Sequence, residues 1–197
     1  MKANAEGAVT HATPPFPIEL KISSLHRLFN SMDPSPFHER DLDHDAEEFI
    51  VSWAREAPKH APIQLVVHLT APDPDVTDPQ AMVAASLQHY FEYRAEMLWR
   101  DFKQLLKEGR AAFLIGLAFL ATCHTISKLL EPGPGPWHGV ASEGLIILGW
   151  VAMWHPLEIL LYRWWPLLAT KRLHDKLATA EVEVRVTDSA PNDPRSR

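Results

Sequence analysis

The sequence predicts an α+β fold: a small cytoplasmic domain of about three strands with helices, fused to a transmembrane helical hairpin. Three observations predict it. Two apolar segments, AAFLIGLAFLATCHTISKLL from Ala111 and EGLIILGWVAMWHPLEILLY from Glu143, flank the Pro/Gly turn EPGPGPWHGVAS. Each has the ~20 residues that an α-helix needs to cross the hydrocarbon core. Short runs in which apolar and polar residues alternate, IELKI, IQLVVHL and EVEVRV, read as strands. A long helical pattern leads from the second of these runs into the first apolar segment.

Composition is compatible with this reading once the hairpin is set apart. The 197 residues are 46% hydrophobic and 22% charged, and the mean hydropathy of −0.15 resembles that of a soluble protein. Polar flanks dilute the two apolar segments to that value. The net charge of −6, with no basic stripe outside the flanks of the hairpin, argues against a nucleic-acid partner. Cys123, the single cysteine, lies inside the first apolar segment, so no disulfide framework holds the soluble part.

Residues 1–17 contain one Lys, three prolines and no apolar run. They read as a disordered lead-in rather than a secretory signal. In Ile18–Ile22 the apolar side chains alternate with Glu19 and Lys21, giving a half-buried strand. A turn-rich connection leads to DLDHDAEEFIVSWAREA, where Asp45 and Glu48 have the spacing of a capping box. Leu42, Phe49, Ile50 and Trp53 fall near one face of that helix. Pro58 ends it. Pro62 opens a second strand, in which Ile63, Leu65, Val67 and Leu69 alternate, and strand–helix–strand implies a parallel crossover.

Asp78-Pro79 fits an N-cap followed by proline at the first helical position. From there a helix of about residues 79–110 carries the apolar stripe Val83, Leu87, Tyr90, Phe91, Leu98, Phe102 and Leu105. It runs straight into the first apolar segment, a length of roughly 45 Å before residue 111 at ~1.5 Å per residue. The hairpin occupies residues 111–163, with spans at 111–130 and 143–163. After it, RWWPLLATKRLHDKLATA reads as an interfacial helix. Val182, Val184 and Val186 then mark a third strand, expected to join the first two because a lone strand is not stable in water. The domain is therefore built from residues 18–110 plus 167–186, and residues 187–197 form a polar, disordered tail.

Charge sets the expected topology. Arg94, Arg100, Lys103, Lys107 and Arg110 precede the hairpin, and Arg163, Lys171, Arg172 and Lys176 follow it. The turn between carries Glu131, His138 and Glu143 without Lys or Arg. By the positive-inside rule both termini are cytoplasmic, with Trp164 and Trp165 as anchors at the inner interface and Trp137 at the outer one.

Glu158 is the leading candidate for chemistry. It sits roughly 7 Å inside the cytoplasmic end of the second segment, and an acid within a span is a functional candidate by default. Trp154, His155 and Tyr162 share its face. One reading makes it a protonatable or cation-attracting site with His155 as partner. The shallow depth favours the other, in which it reaches the interface and pairs with Arg163 or a basic residue of a neighbouring subunit. Pro156 leaves the carbonyl of Ala152 without a donor, so a helix kink is expected there. Near the outer end, His124, Ser127, Lys128 and Glu131 lie close to one face, and Lys128 can pair with Glu143; structural glue is the favoured reading over a proton relay. His124 and His155 differ in depth by about 9 Å, too far to share a metal within one subunit. Small residues (Ala112, Gly116, Gly144, Gly149 and Ala152) permit close helix approach.

On the soluble side His38, Asp41, Asp43, His44 and Asp45 cluster. Their D-x-D-x-D spacing lacks the glycine and the closing Glu of a calcium loop, and acids before a helix usually serve its dipole. No metal site, cofactor or catalytic residue is assigned, and no hydrolase, P-loop, dinucleotide or zinc-protease motif occurs.

The stretches FNSMDPSPFHERDLDHDAEEFI and EGLIILGWVAMWHPLEILLYRWWP resemble a group of uncharacterised bacterial two-helix inner-membrane proteins, over about residues 18–186. That resemblance implies a multi-pass protein of the bacterial inner membrane and brings no activity with it. The expected role is an oligomeric, membrane-anchored scaffold or regulatory subunit. Its expected partners are the lipid bilayer, further copies of itself and a cytoplasmic protein. A small ion channel or transport component with Glu158 and His155 at its site is the alternative. A membrane-displayed enzyme ranks last.

Overall fold

The computed structural model describes residues 14–30, 40–70, 76, 78–130 and 135–186. The lead-in up to residue 13, His38, most of the proline loop after Leu69, Glu131 and the tail from 187 lie outside them. The chain is α+β, with three parallel strands and long helices, two of which are long and apolar enough to cross a membrane.

In chain order the elements are β1 (Phe16–Ile22), a single 3-10 turn (Leu25–Arg27), α1 (His44–Glu56), β2 (Ile63–Leu69) and α2 (Pro79–Leu130). Then follow α3 (Pro136–Glu158), a π-helical stretch (Ile159–Arg163), α4 (Trp164–Ala178) and β3 (Glu181–Val186). They group into two compact units. The first holds Met1–Arg94 with Leu173–Arg197, and the second Ala95–Arg172.

The first unit is built on the sheet, in the order β1-β2-β3. Ile18 pairs with Leu65 and Leu20 with Val67, while on the other side Leu65 pairs with Val182 and Val67 with Val184. Directly paired residues point to the same face, so these aliphatic side chains form one apolar surface. Glu19, Lys21, Gln64, His68, Glu183 and Arg185 occupy the opposite face. The third strand does join the sheet, and since it runs parallel to β2 its connection must be a crossover. Here that crossover is everything from Thr70 to Ala180, including both apolar segments.

Helices cover the apolar face. Ile50 and Ala54 from α1, Val83, Leu87 and Phe91 from α2, and Leu177 and Ala178 from α4 are buried with the strand residues in one core. The positions 83, 87 and 91 recur at the four-residue spacing that places side chains on one helical face. Burying each of the larger side chains is worth about 1.5–3 kcal/mol. Leu25, Leu28 and Phe29 close the core beside β1, where Phe29 forms a bridge to Leu42.

Two local expectations are corrected. The N-cap of α1 is Asp43, whose carboxylate accepts the Asp45 amide at 3.1 Å, and not Asp45 with Glu48. The helix starts two residues earlier than a cap at Asp45 requires, because Asp43 adopts the extended backbone that a cap needs. The buried face of α1 is Ile50 and Ala54, whereas Phe49 and Trp53 are exposed and pack on each other with centroids 6.0 Å apart. The i, i+4 spacing is the same in both pairs, so helical periodicity alone could not choose between them.

At the β3 edge, the Gln80 side chain accepts the Val184 amide at 2.6 Å and donates to the Val182 carbonyl. One glutamine thus takes the place of a further strand on an edge that would otherwise offer free backbone groups.

Candidate functional site

In the second unit the apolar parts of α2 and α3 run antiparallel. Gly109, Gly116 and Cys123 recur every seven residues on α2, as Ser142, Gly149 and Pro156 do on α3, and all six are buried. A seven-residue period keeps one seam facing its neighbour along the whole pair. The contacts along it are close. A Cβ on Gly149 would lie 2.7 Å from Leu120 Cδ1 and 3.3 Å from Leu120 Cα. One on Gly109 would lie 2.8 Å from Ile159 Cγ2, and one on Gly116 3.0 Å from Met153 Sδ. At the far end the Ser127 and Ser142 hydroxyls are 2.5 Å apart. Gly144 has nothing within 4 Å and lies off the seam.

The outer surface of this pair is the reverse of a soluble protein's. Leu114, Ile115 and Leu129 are 65%, 71% and 74% exposed. Thr122 and Thr125, also outside, donate to the carbonyls of Ala118 and Ala121 at 2.9 and 2.8 Å, so each hydroxyl is satisfied within its own helix.

His155 and Glu158 project from this outer surface, and so do His124, Lys128 and Glu143. None of the five lines the seam. Because Gly109 meets Ile159 and Leu160, Glu158 stands level with Arg110 and Ala111, where the apolar part of α2 begins. Pro156 is buried and would lie 3.5 Å from a Cβ on Gly116. It sits inside α3, and the irregularity that accompanies it falls just beyond, where Ile159–Arg163 winds as π-helix. Of the aromatic residues at the ends, Trp137 and Trp165 are exposed, while the indole N–H of Trp164 donates to the Leu160 carbonyl at 2.9 Å.

A second constellation, in the first unit, was not read from the sequence. The Glu47 carboxylate on α1 accepts from Arg94 Nε and Nη2 at 3.0 and 2.8 Å and from the Tyr90 hydroxyl. His174 Nε2 on α4 stands 4.0 Å away, its ring edge-on to Phe91. Burial pushes the Glu47 carboxyl up, but the Tyr90 hydroxyl, Arg94 and His174 together outweigh it and hold it below its ordinary value. Burial and the adjoining carboxylate raise the Tyr90 phenol. These groups come from α1, α2 and α4, so one carboxylate ties three helices together. His174 follows Glu47 by well over a hundred residues, and nothing local in the sequence could announce the pair.

A cleft of about 550 Å³ opens at the carboxyl end of β1, lined among others by His26, Arg27, Asp43, Asp45 and Phe49. This is the end of a parallel strand at which ligands tend to bind, but its charges are of both signs. The acidic stretch before α1 is divided, with Asp43 spent as a cap. Among the described residues no three His, Cys, Asp or Glu side chains could hold a metal ion. Comparison of the chain with protein-family models, with curated proteins and with solved structures found no match.

Proposed function

We propose that this chain is an integral protein of a bacterial inner membrane, in which the α2–α3 hairpin spans the bilayer and the sheet-containing unit faces the cytoplasm. It acts there as an oligomeric scaffold or regulatory subunit. One observation carries the membrane reading: the large aliphatic side chains of the hairpin point outward while glycine and serine line its seam. In water that exposed apolar surface would be far larger than a soluble monomer carries. In lipid, small residues at the contact are what close packing requires. Cationic residues on both flanks and their absence from the described part of the turn support cytoplasmic termini.

The scaffold reading is supported by the chain path. The hairpin is inserted between β2 and β3, so the strands on either side of it share one sheet. Alkaline carbonate extraction tests the spanning reading, the expected outcome being retention in the membrane pellet. Cross-linking and pull-down from native membranes test the scaffold, which requires a reproducible partner; recovery of the protein alone counts against it.

A second reading, a small ion channel or transport component, is favoured by the outward placement of His155 and Glu158, where neighbouring subunits would meet them. It requires flux into proteoliposomes of the purified protein. Unchanged flux in Glu158→Gln would remove that residue from the site.

A further inference from the structure

Arg100, Lys103, Lys107 and Arg110 follow one another at spacings of three, four and three, which places them on one face of α2 immediately before the apolar run that starts at Ala111. Arg100 is engaged by Glu96 at 2.6 Å. Lys103, Lys107 and Arg110 are exposed, and among the described residues neither Lys103 nor Lys107 is paired with a carboxylate. Lys103, Gln104, Lys107, Glu108 and Ala111 form an open groove between side chains beside this face. Its one acid, Glu108, already accepts from the Gln104 amide at 2.9 Å.

The helix surface therefore passes from ammonium groups at Lys103 and Lys107 to the first residue of the apolar surface, Ala111. That polarity fits an amphiphile. Aromatic residues accompany it on both helices. Lys103 and Lys171 lie over the Trp99 ring at 5.3 and 5.9 Å. Phe102 stacks on the same ring with centroids 5.0 Å apart, and Trp164 packs against Trp165 at the same separation. Tryptophan beside lysine is the composition of a membrane–water interface.

We propose that the Lys103–Lys107–Arg110 face of α2 binds the phosphate of an anionic phospholipid, whose acyl chains continue along Ala111, Leu114 and Ile115. The proposal rests on the reading that the hairpin spans the bilayer. Magnitude selects a lipid over a free anion. Each exposed cation near the surface is worth roughly a five-fold preference. Three give on the order of a hundred-fold, too little to hold free phosphate at millimolar concentration but ample to select among lipids already in contact. A zwitterionic headgroup brings its own cation against the lysines and gains less.

The full chain, reconstituted in nanodiscs of phosphatidylcholine doped with phosphatidylglycerol, is released into the gas phase and its retained lipids are weighed by native mass spectrometry. Wild-type protein is expected to retain phosphatidylglycerol in preference to phosphatidylcholine. Lys103→Gln with Lys107→Gln is expected to cut that preference about twenty-five-fold, and Lys103→Arg with Lys107→Arg to keep it. Both lysines are exposed, so folding is not at stake in these substitutions. Equal retention of the two lipids by wild type, or an unchanged preference in the Gln variant, overturns the proposal. Carbonate extraction of the same proteins separates the two failures. A chain that stays in the pellet without lipid preference sinks only the lipid site, and a chain that is extracted sinks the spanning reading beneath it.

Discussion

At the residue scale the Glu47 carboxylate carries the clearest consequence. Its partners hold its pKa below the ordinary 4.5 in the folded chain. A depressed acid contributes stability that is fully present above the unfolded value and is lost as pH falls through the folded one. Acid unfolding of the first unit should therefore steepen below about pH 4.5, and Glu47→Gln should flatten that limb while costing about 1–3 kcal/mol at neutral pH. The half-exposed Arg94 guanidinium keeps part of its hydration and holds the cost within that range. Chemical denaturation at two pH values measures both, and an identical acid limb in the variant would refute the assignment. Gly149 supports a second test. Gly149→Val sets a side chain against the Leu120 backbone and should loosen the hairpin by about 1–3 kcal/mol, whereas Gly144→Val, facing open space, should not. Thermal stability in detergent distinguishes them. The sequence put Gly116 and Gly149 forward as small contact residues, and Gly144 with them. Composition marks which residues can lie in a seam; only the seven-residue register says which of them do.

At the element scale β3 is the test of how the first unit is assembled. Val182 and Val184 are half-buried on the core face, in register with Leu65 and Val67. Asp at both positions would place charge against that core and should destabilise the unit by on the order of 3 kcal/mol. Circular dichroism melts would report it, and an unchanged midpoint would mean that the strand contributes nothing. Gln80→Ala should cost less, about 1 kcal/mol, because water can take over both backbone groups at the edge. Its larger effect should be concentration-dependent association through the uncovered edge, visible by light scattering. The strands were legible because a period of two is short and local. The cap of α1 falls on Asp43, which lacks the Glu three residues on that Asp45 has, and its buried pair Ile50 and Ala54 has the same spacing as the exposed Phe49 and Trp53, so only tertiary packing tells the two faces apart. Gln80 was not legible at all, lying about a hundred residues from the strand it covers.

At the scale of the whole molecule the governing balance is between the polar groups on the outside of the hairpin and the lipid that the spanning reading puts there. An acid or a lysine at the centre of a span costs about 2.5–3.5 kcal/mol, and less toward either end. Glu158, level with Arg110, can reach the interface alone; Lys128 and Glu143 can do so at the other end by extending outward. His155 has neither the length of a lysine nor a place at the very end, and the same holds for His124, about 9 Å short of the outer end of its segment. Two helices already packed on each other leave these imidazoles only lipid or another copy. Association is therefore the expected outcome, with His155 and Glu158 facing the neighbour. Purified protein in a mild detergent should run as a defined oligomer by light scattering. Replacing His155 and Glu158 together with Leu should shift it toward monomer, because the contact loses its hydrogen bonds while each monomer becomes cheaper to expose. A wild-type monomer at all concentrations would leave the outer polar face without a protein partner. An oligomer that survives the double replacement intact would move the contact to the His124 side.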